Sequence, residues 1–114
     1  MPPRDWLLRI EDILEAAASI EAFVAGMSFD DFCSDKKTMD AVVRNFEVIG
    51  EAARHVPEET RGRYPDVPWV DMADMRNVLI HEYFGVDFVI LWEAIHSDLR
   101  VIVPLLQEIH AQNR

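Results

Sequence analysis

With one cysteine among 114 residues, Cys33 has no partner for an internal disulfide, and no paired Cys or His spacing suggests zinc, so no metal is expected. Basic residues are scarce as well: 11 Lys and Arg stand against 21 Asp and Glu, a formal net charge of −10. That balance argues against generic nucleic-acid binding, which depends on basic surface and counterion release. Long hydrophobic runs are also missing. The N-terminal stretch MPPRDWLLRIEDILEAAA is broken by Arg9, Glu11, Asp12 and Glu15, and nothing approaches the roughly 18 apolar residues of a membrane span. These absences predict a soluble, unexported, cytoplasmic protein without membrane contact. No alternating strand pattern, internal repeat or low-complexity segment is present either.

What is present is helical periodicity in a chain that is 50% hydrophobic and of single-domain length, residues 1–114. From Asp5 to about Ala25, Trp6, Ile10, Ile13, Leu14, Ala17, Ile20 and Val24 recur at three- and four-residue steps, ahead of Gly26. The segment SFDDFCSDK has room for a short extra helix. A second long helix is expected from Asp35 as N-cap to about Val56, with Met39, Val42, Val43, Phe46, Ile49 and Ala53 inward and Pro57 as the stop. The stretch PEETRGRYPDVP reads as a loop. A third helix is expected to start at Pro68, run through WVDMADMRNVLIHEYF and end at Gly85. A fourth follows an Asp87 cap, with Val89, Ile90, Trp92, Ile95, Leu99, Ile102, Leu105, Leu106 and Ile109 as its apolar side. The predicted fold is all-α, a four-helix up-and-down bundle.

Charge is unevenly spread over this pattern. Residues 1–40 carry nine acids against four bases and 71–114 seven against three, whereas 41–70 carry five against four. The near-neutral middle, with Arg44, Arg54, Arg61 and Arg63, is the part suited to meet phosphate, together with Arg76. Taken singly, His81 near a helix end, Arg76 and Tyr83 have ordinary surface or core-edge roles. His55, His96 and His110 show no convergent partners, and Cys33, the Met and the Trp residues read as packing.

The order of the three residues says more than any one of them. RNVLIHEY is Arg, four residues, His, one residue, Tyr, and it resembles the R-x4-H-x-Y motif of HepT-type toxins in the HEPN superfamily. The likeness extends along the chain: WLLRIEDILEAAASIEAFV resembles that family's first helix, TMDAVVRNFEVIGEAARHVP its second, VPWVDMADMRNVLIHEYFGVD its third and LWEAIHSDL the start of its fourth. The resemblance implies a metal-independent ribonuclease acting on RNA, the toxin of a type VII-like toxin–antitoxin pair. It implies Arg76 and His81 as the catalytic pair, Asn77 as the accompanying polar residue and Tyr83 as the acceptor of AMP. It further implies a homodimer and an MntA-type nucleotidyltransferase antitoxin as partner, and it implies no cofactor.

Elementary chemistry makes the pair intelligible. RNA carries its own nucleophile, so cleavage without metal needs a base for the 2′-OH, a proton donor for the leaving 5′-oxygen, and cations for the charge developing on phosphorus. Histidine can move either proton and arginine can hold phosphate oxygens without titrating. One chain supplies half of that set, and a two-fold dimer doubles it. On the second long helix, Arg44, Glu47, Glu51 and Arg54 form a charged stripe, readable either as a solvated ladder or, through Glu47 and Glu51, as support for Arg76 and His81. A rival reading is a non-catalytic nucleotide- or substrate-binding subunit of a minimal nucleotidyltransferase.

Overall fold

The computed structural model describes residues 3–75, 77, 80–81 and 85–114. Helix α1 (Pro3–Val24) opens on a proline, whose fixed φ and missing N–H suit a first turn. It buries Trp6, Ile10, Ile13, Ala17, Ile20 and Val24, as the spacing predicts. Gly26 ends it at φ +76, a left-handed conformation that glycine adopts without strain.

The extra helix expected between the long ones is present as α2 (Phe29–Cys33). Its start is a capping box in which Ser28 Oγ accepts from Asp31 N–H at 3.0 Å and Asp31 accepts from Ser28 N–H at 3.1 Å. The short helix presses Phe32, fully buried, into the core. Asp35 then caps α3 (Lys36–Arg54), its carboxylate accepting from Thr38 N–H at 3.1 Å and Thr38 Oγ1–H at 2.9 Å. Those two bonds hold the Asp35 carboxyl below its ordinary range, with the backbone donor first in weight. Val42, Phe46, Ile49 and Ala53 are buried and Met39 and Val43 are half-buried against them, matching the predicted inner face.

Two segments depart from expectation. The supposed loop after Pro57 folds into α4 (Glu58–Arg63), because Glu58 and Glu59 sit at the positive end of its dipole and Arg61 and Arg63 at the negative end. Thr60 anchors it as a buried polar residue. The third long helix is much shorter than predicted: Pro68 precedes α5 (Trp69–Ala73), Asp74 forms a turn, and Met75 and Asn77 are helical. By Ile80 the backbone is extended. Strand β1 (Ile80–His81) pairs antiparallel with β2 (Gly85–Val86), Ile80 opposite Val86 and His81 opposite Gly85. β-Branched Val78, Ile80 and Val86 disfavour helix, and Gly85, at φ +78, accommodates the return. This is the one strand pairing among the described residues of an otherwise all-α protein.

Asp87 caps α6 (Phe88–Glu93) as predicted, accepting from Ile90 N–H at 3.0 Å. A π-helical turn, Ala94–Asp98, joins it to α7 (Leu99–Asn113). The apolar side differs in phase from the expected one over the first turns: Leu91 is fully buried whereas Val89 is 56% exposed. Leu91, Ile95 and Leu99 recur at four-residue steps, which drift about 40° per step on an α-helix, and a wider turn lets them share one line. Beyond it Ile102, Leu106 and Ile109 return to ordinary helical spacing and close the core against α1. No helix in the described residues is long and apolar enough to cross a membrane.

Candidate functional site

Of the predicted site residues, Asn77 and His81 follow α5, and Glu47 and Glu51 lie on α3. The approach of α5 to α3 is set by glycine: a Cβ on Gly50 of α3 would stand 3.2 Å from Met72 O and 3.4 Å from Ala73 O, so only a bare Cα lets the two backbones approach this closely. Met72 and Met75 are buried there, fixing the chain immediately before Arg76. Asn77, exposed, donates its side-chain amide to Asp74 Oδ1 at 2.8 Å, and its backbone N–H donates to Asp74 O at 3.0 Å. These two bonds tie down the turn from which the motif segment departs.

His81 is placed by its backbone on β1, opposite Gly85, so it is not carried by a helix. A continuous helix would set Asn77 and His81 one turn apart, and this does not hold, since Ile80 and His81 are extended. The expectations that rest on Arg76 and Tyr83 lie outside the described residues.

The two glutamates of α3 are placed differently. Glu51 is exposed and faces Arg54 at 3.8 Å and His55 Nδ1 at 3.6 Å along its own helix, a solvated ladder. Glu47 is half-buried, about one turn before Gly50 on α3. His110, read from sequence as lacking a partner, meets Glu11 of α1 at 3.3 Å. His96 lies against Trp92, ring centroids 4.1 Å apart. Among the described residues, no group of three or more His, Cys, Asp or Glu could hold a metal.

Beside the segment lies a groove of about 240 Å³ between α5 and α7, floored by Met72, Met75 and Ile102 and rimmed by Asp71, Asp98 and Val101. Burial raises the Asp98 carboxyl above its ordinary range, and the neighbouring carboxylates of Glu93 and Asp71 add to the effect. Sequence reasoning missed this groove. Its signal was present in Asp98 and Asp71, which are acids beside apolar positions of two helices, but no spacing rule brings them together.

The arrangement defines a class: an all-α protein, but for one short strand pair, in which His81 follows a short helix that flanks a groove. The chain belongs to the HepT-like family, described as "Ribonuclease HepT-like", whose match covers residues 13–109 and so contains the whole of RNVLIHEY. It is 47% identical over 90 residues to "Probable ribonuclease HepT" of Thermococcus cleftensis, covering 79% of this chain and 82% of that protein. It is 40% identical over 117 residues to a "Putative RNase" of Methanocaldococcus jannaschii, covering 99% and 97% of the two chains. A protein also described as a "Putative RNase", from Caldanaerobacter subterraneus subsp. tengcongensis, is 41% identical over 107 residues, covering 94% and 93%. No solved structure matches the chain significantly.

Proposed function

We propose that this chain is a metal-independent endoribonuclease, the toxin of a type VII-like toxin–antitoxin pair, with Arg76 and His81 as its catalytic residues and Tyr83 as the acceptor of silencing AMP. The observation that carries the reading is the order Arg76, His81, Tyr83 inside a segment matched by a ribonuclease family. In the reaction, a histidine removes the proton of the 2′-OH while the 2′-oxygen bonds to phosphorus. The bond from phosphorus to the 5′-oxygen breaks, and a protonated histidine supplies the proton that oxygen takes up. Arg76 holds the phosphate oxygens as charge accumulates on them. The ends left are a 2′,3′-cyclic phosphate and a 5′-hydroxyl.

Because base and acid are both needed at once, the site is a composite of two copies related by a two-fold axis. Val101, 60% exposed at the groove rim, and Val70, 73% exposed on α5, offer the apolar face that a second copy would cover. Asn77 positions the segment through Asp74, and Glu47, beside the Gly50 crossing, supports it from α3. The nucleotidyltransferase antitoxin acts by adding bulk and negative charge at Tyr83, where phosphate must bind.

The acidic surface favours one other reading, a binding subunit that presents nucleotide or substrate to such a transferase. Purified, unmodified protein incubated with total RNA in EDTA separates the two. Discrete ends bearing cyclic phosphate, absent with His81→Ala, support the nuclease. RNA left intact by protein shown by intact mass to be unmodified supports the binding subunit.

A further inference from the structure

We propose that Asp74 is a positioning residue that fixes the Asn77 side-chain amide with its oxygen outward, so that Asn77 receives an N–H donor of a substrate base and not a phosphate. RNA as the substrate rests on the ribonuclease reading; the orientation of the amide does not.

That orientation follows from what each group can do. A carboxylate only accepts, so the amide atom 2.8 Å from Asp74 Oδ1 is Nδ2 and never the oxygen. With Nδ2 turned to Asp74, the planar amide sends Oδ1 the other way, and Asn77 is exposed. Among the described residues no donor reaches that oxygen.

The side-chain bond is not needed to close the turn. Asn77 N–H already donates to Asp74 O at 3.0 Å, which closes it through the backbone. Asp74 is itself held in place: its N–H donates to Val70 O at 3.0 Å, and Met72 and Met75 near it in the chain are buried. A carboxylate on so fixed a stem keeps the amide in one orientation, whereas an exposed asparagine without such a partner turns either end outward about its last torsion.

Asn77 thus offers an acceptor alone, with a negative charge behind it. Both features repel phosphate oxygens and attract N–H and O–H groups. Asn77 stands between Arg76 and His81 in the chain, so the part of a strand that it meets is the part beside the cleaved bond. The 2′-OH there gives its proton to a histidine, which leaves the exocyclic amines of adenine, cytosine and guanine as the donors available. Uracil has no such amine, and cleavage beside it is disfavoured.

The test has two parts, both on the full chain. NMR of the free protein reads the two N–H signals of the Asn77 side chain, of which the one bound to Asp74 should lie downfield and exchange more slowly. Asp74→Ala should remove that difference and Asp74→Glu, which keeps a carboxylate, should retain it. Cleavage assays then compare oligoribonucleotides with adenosine, cytidine or guanosine beside the cleaved bond with analogues whose base lacks the amine. For at least one base the wild type should lose about tenfold in kcat/KM on amine removal. Asp74→Ala and Asn77→Ser should cleave the two substrates alike, and Asp74→Glu should restore the difference. Wild-type discrimination kept in Asp74→Ala, an unchanged pair of Asn77 signals in that variant, or a wild type indifferent to the amines overturns the proposal and leaves the nuclease standing. Sensitivity to a flanking 2′-deoxyribose in place of amine removal overturns the base as the donor. A wild type that cleaves nothing, yet binds amine-bearing RNA more tightly than its analogue in an Asp74-dependent way, defeats the nuclease and supports the positioning role. A wild type that neither cleaves nor discriminates in binding overturns both.

Discussion

Replacing Gly50 by alanine tests the contact that positions the motif segment. In a free helix the change would stabilise by about 1 kcal/mol, because alanine is the better helix former. Here the new methyl would stand 3.2 Å from Met72 O and 3.4 Å from Ala73 O, closer than ordinary carbon–oxygen contact. Met72 O cannot retreat freely, since it accepts from Asp74 N–H at the end of α5. Overpacking of this kind costs about 1–3 kcal/mol. Setting about 2 kcal/mol of strain against the propensity gain leaves a net loss of about 1 kcal/mol, a fall in Tm of roughly 4 °C for a chain of this size. Gly50→Val should fall further, as it adds two methyls and a β-branched penalty. Thermal unfolding followed by circular dichroism measures both variants, and RNA cleavage at 25 °C reports whether the displaced segment still functions. A Tm that rises in Gly50→Ala would show that α5 slides freely over α3 and that the glycine does not set the approach.

The other predictions concern the site and its surroundings. His81→Ala should abolish cleavage with nearly unchanged circular dichroism and melting, and Arg76→Lys should cut activity severely because the bidentate fork is lost; a large drop in melting temperature for His81→Ala would point to a packing role instead. Light scattering should find a dimer at micromolar concentration, and a monomer there would remove the composite site. Co-expression with the cognate nucleotidyltransferase should add AMP mass to the wild-type chain and none to Tyr83→Phe; AMP mapped to another residue would disprove the switch. Asp98→Asn should raise Tm at neutral pH. The raised carboxyl favours the fold when protonated, so its contribution is present below the ordinary value of 3.8 and lost as pH rises through the higher folded value. The gain should therefore shrink toward acid, and a gain independent of pH would refute the charge argument.

Elements defined by local rules were readable from the chain. Asp35 and Asp87 each accept from the N–H three residues on, and Gly26 closes α1, because caps and left-handed glycines depend on one or two residues at fixed offsets. Where two local signals compete, the reading failed. Arg61, Gly62 and Arg63 look like a loop by their breaker and are helical by their charge order. Val78 through His81 continue an apolar periodicity, yet the chain is extended at Ile80 and His81, because pairing with Gly85 and Val86 is a tertiary choice that spacing does not encode. The identities of Arg76, His81 and Tyr83 were legible as a motif. The surroundings were not: the Gly50 crossing and the groove under Asp98 each join residues of separate helices far apart in the chain.

The π turn at Ala94–Asp98 also bears on how the last helix can change length. Such a turn amounts to an α-helix with one residue accommodated without breaking the rod. The halves on either side, with Leu91 at one end and Leu106 at the other, are thus phased separately against the core. Deleting one residue elsewhere along α7 would rotate everything beyond it by about 100° and carry Ile102, Leu106 or Ile109 toward water. Within Ala94–Asp98 the same deletion has somewhere to go, since the turn can tighten to ordinary α geometry and absorb the lost residue. Single-residue gains and losses among natural variants of this helix should therefore gather in that one turn.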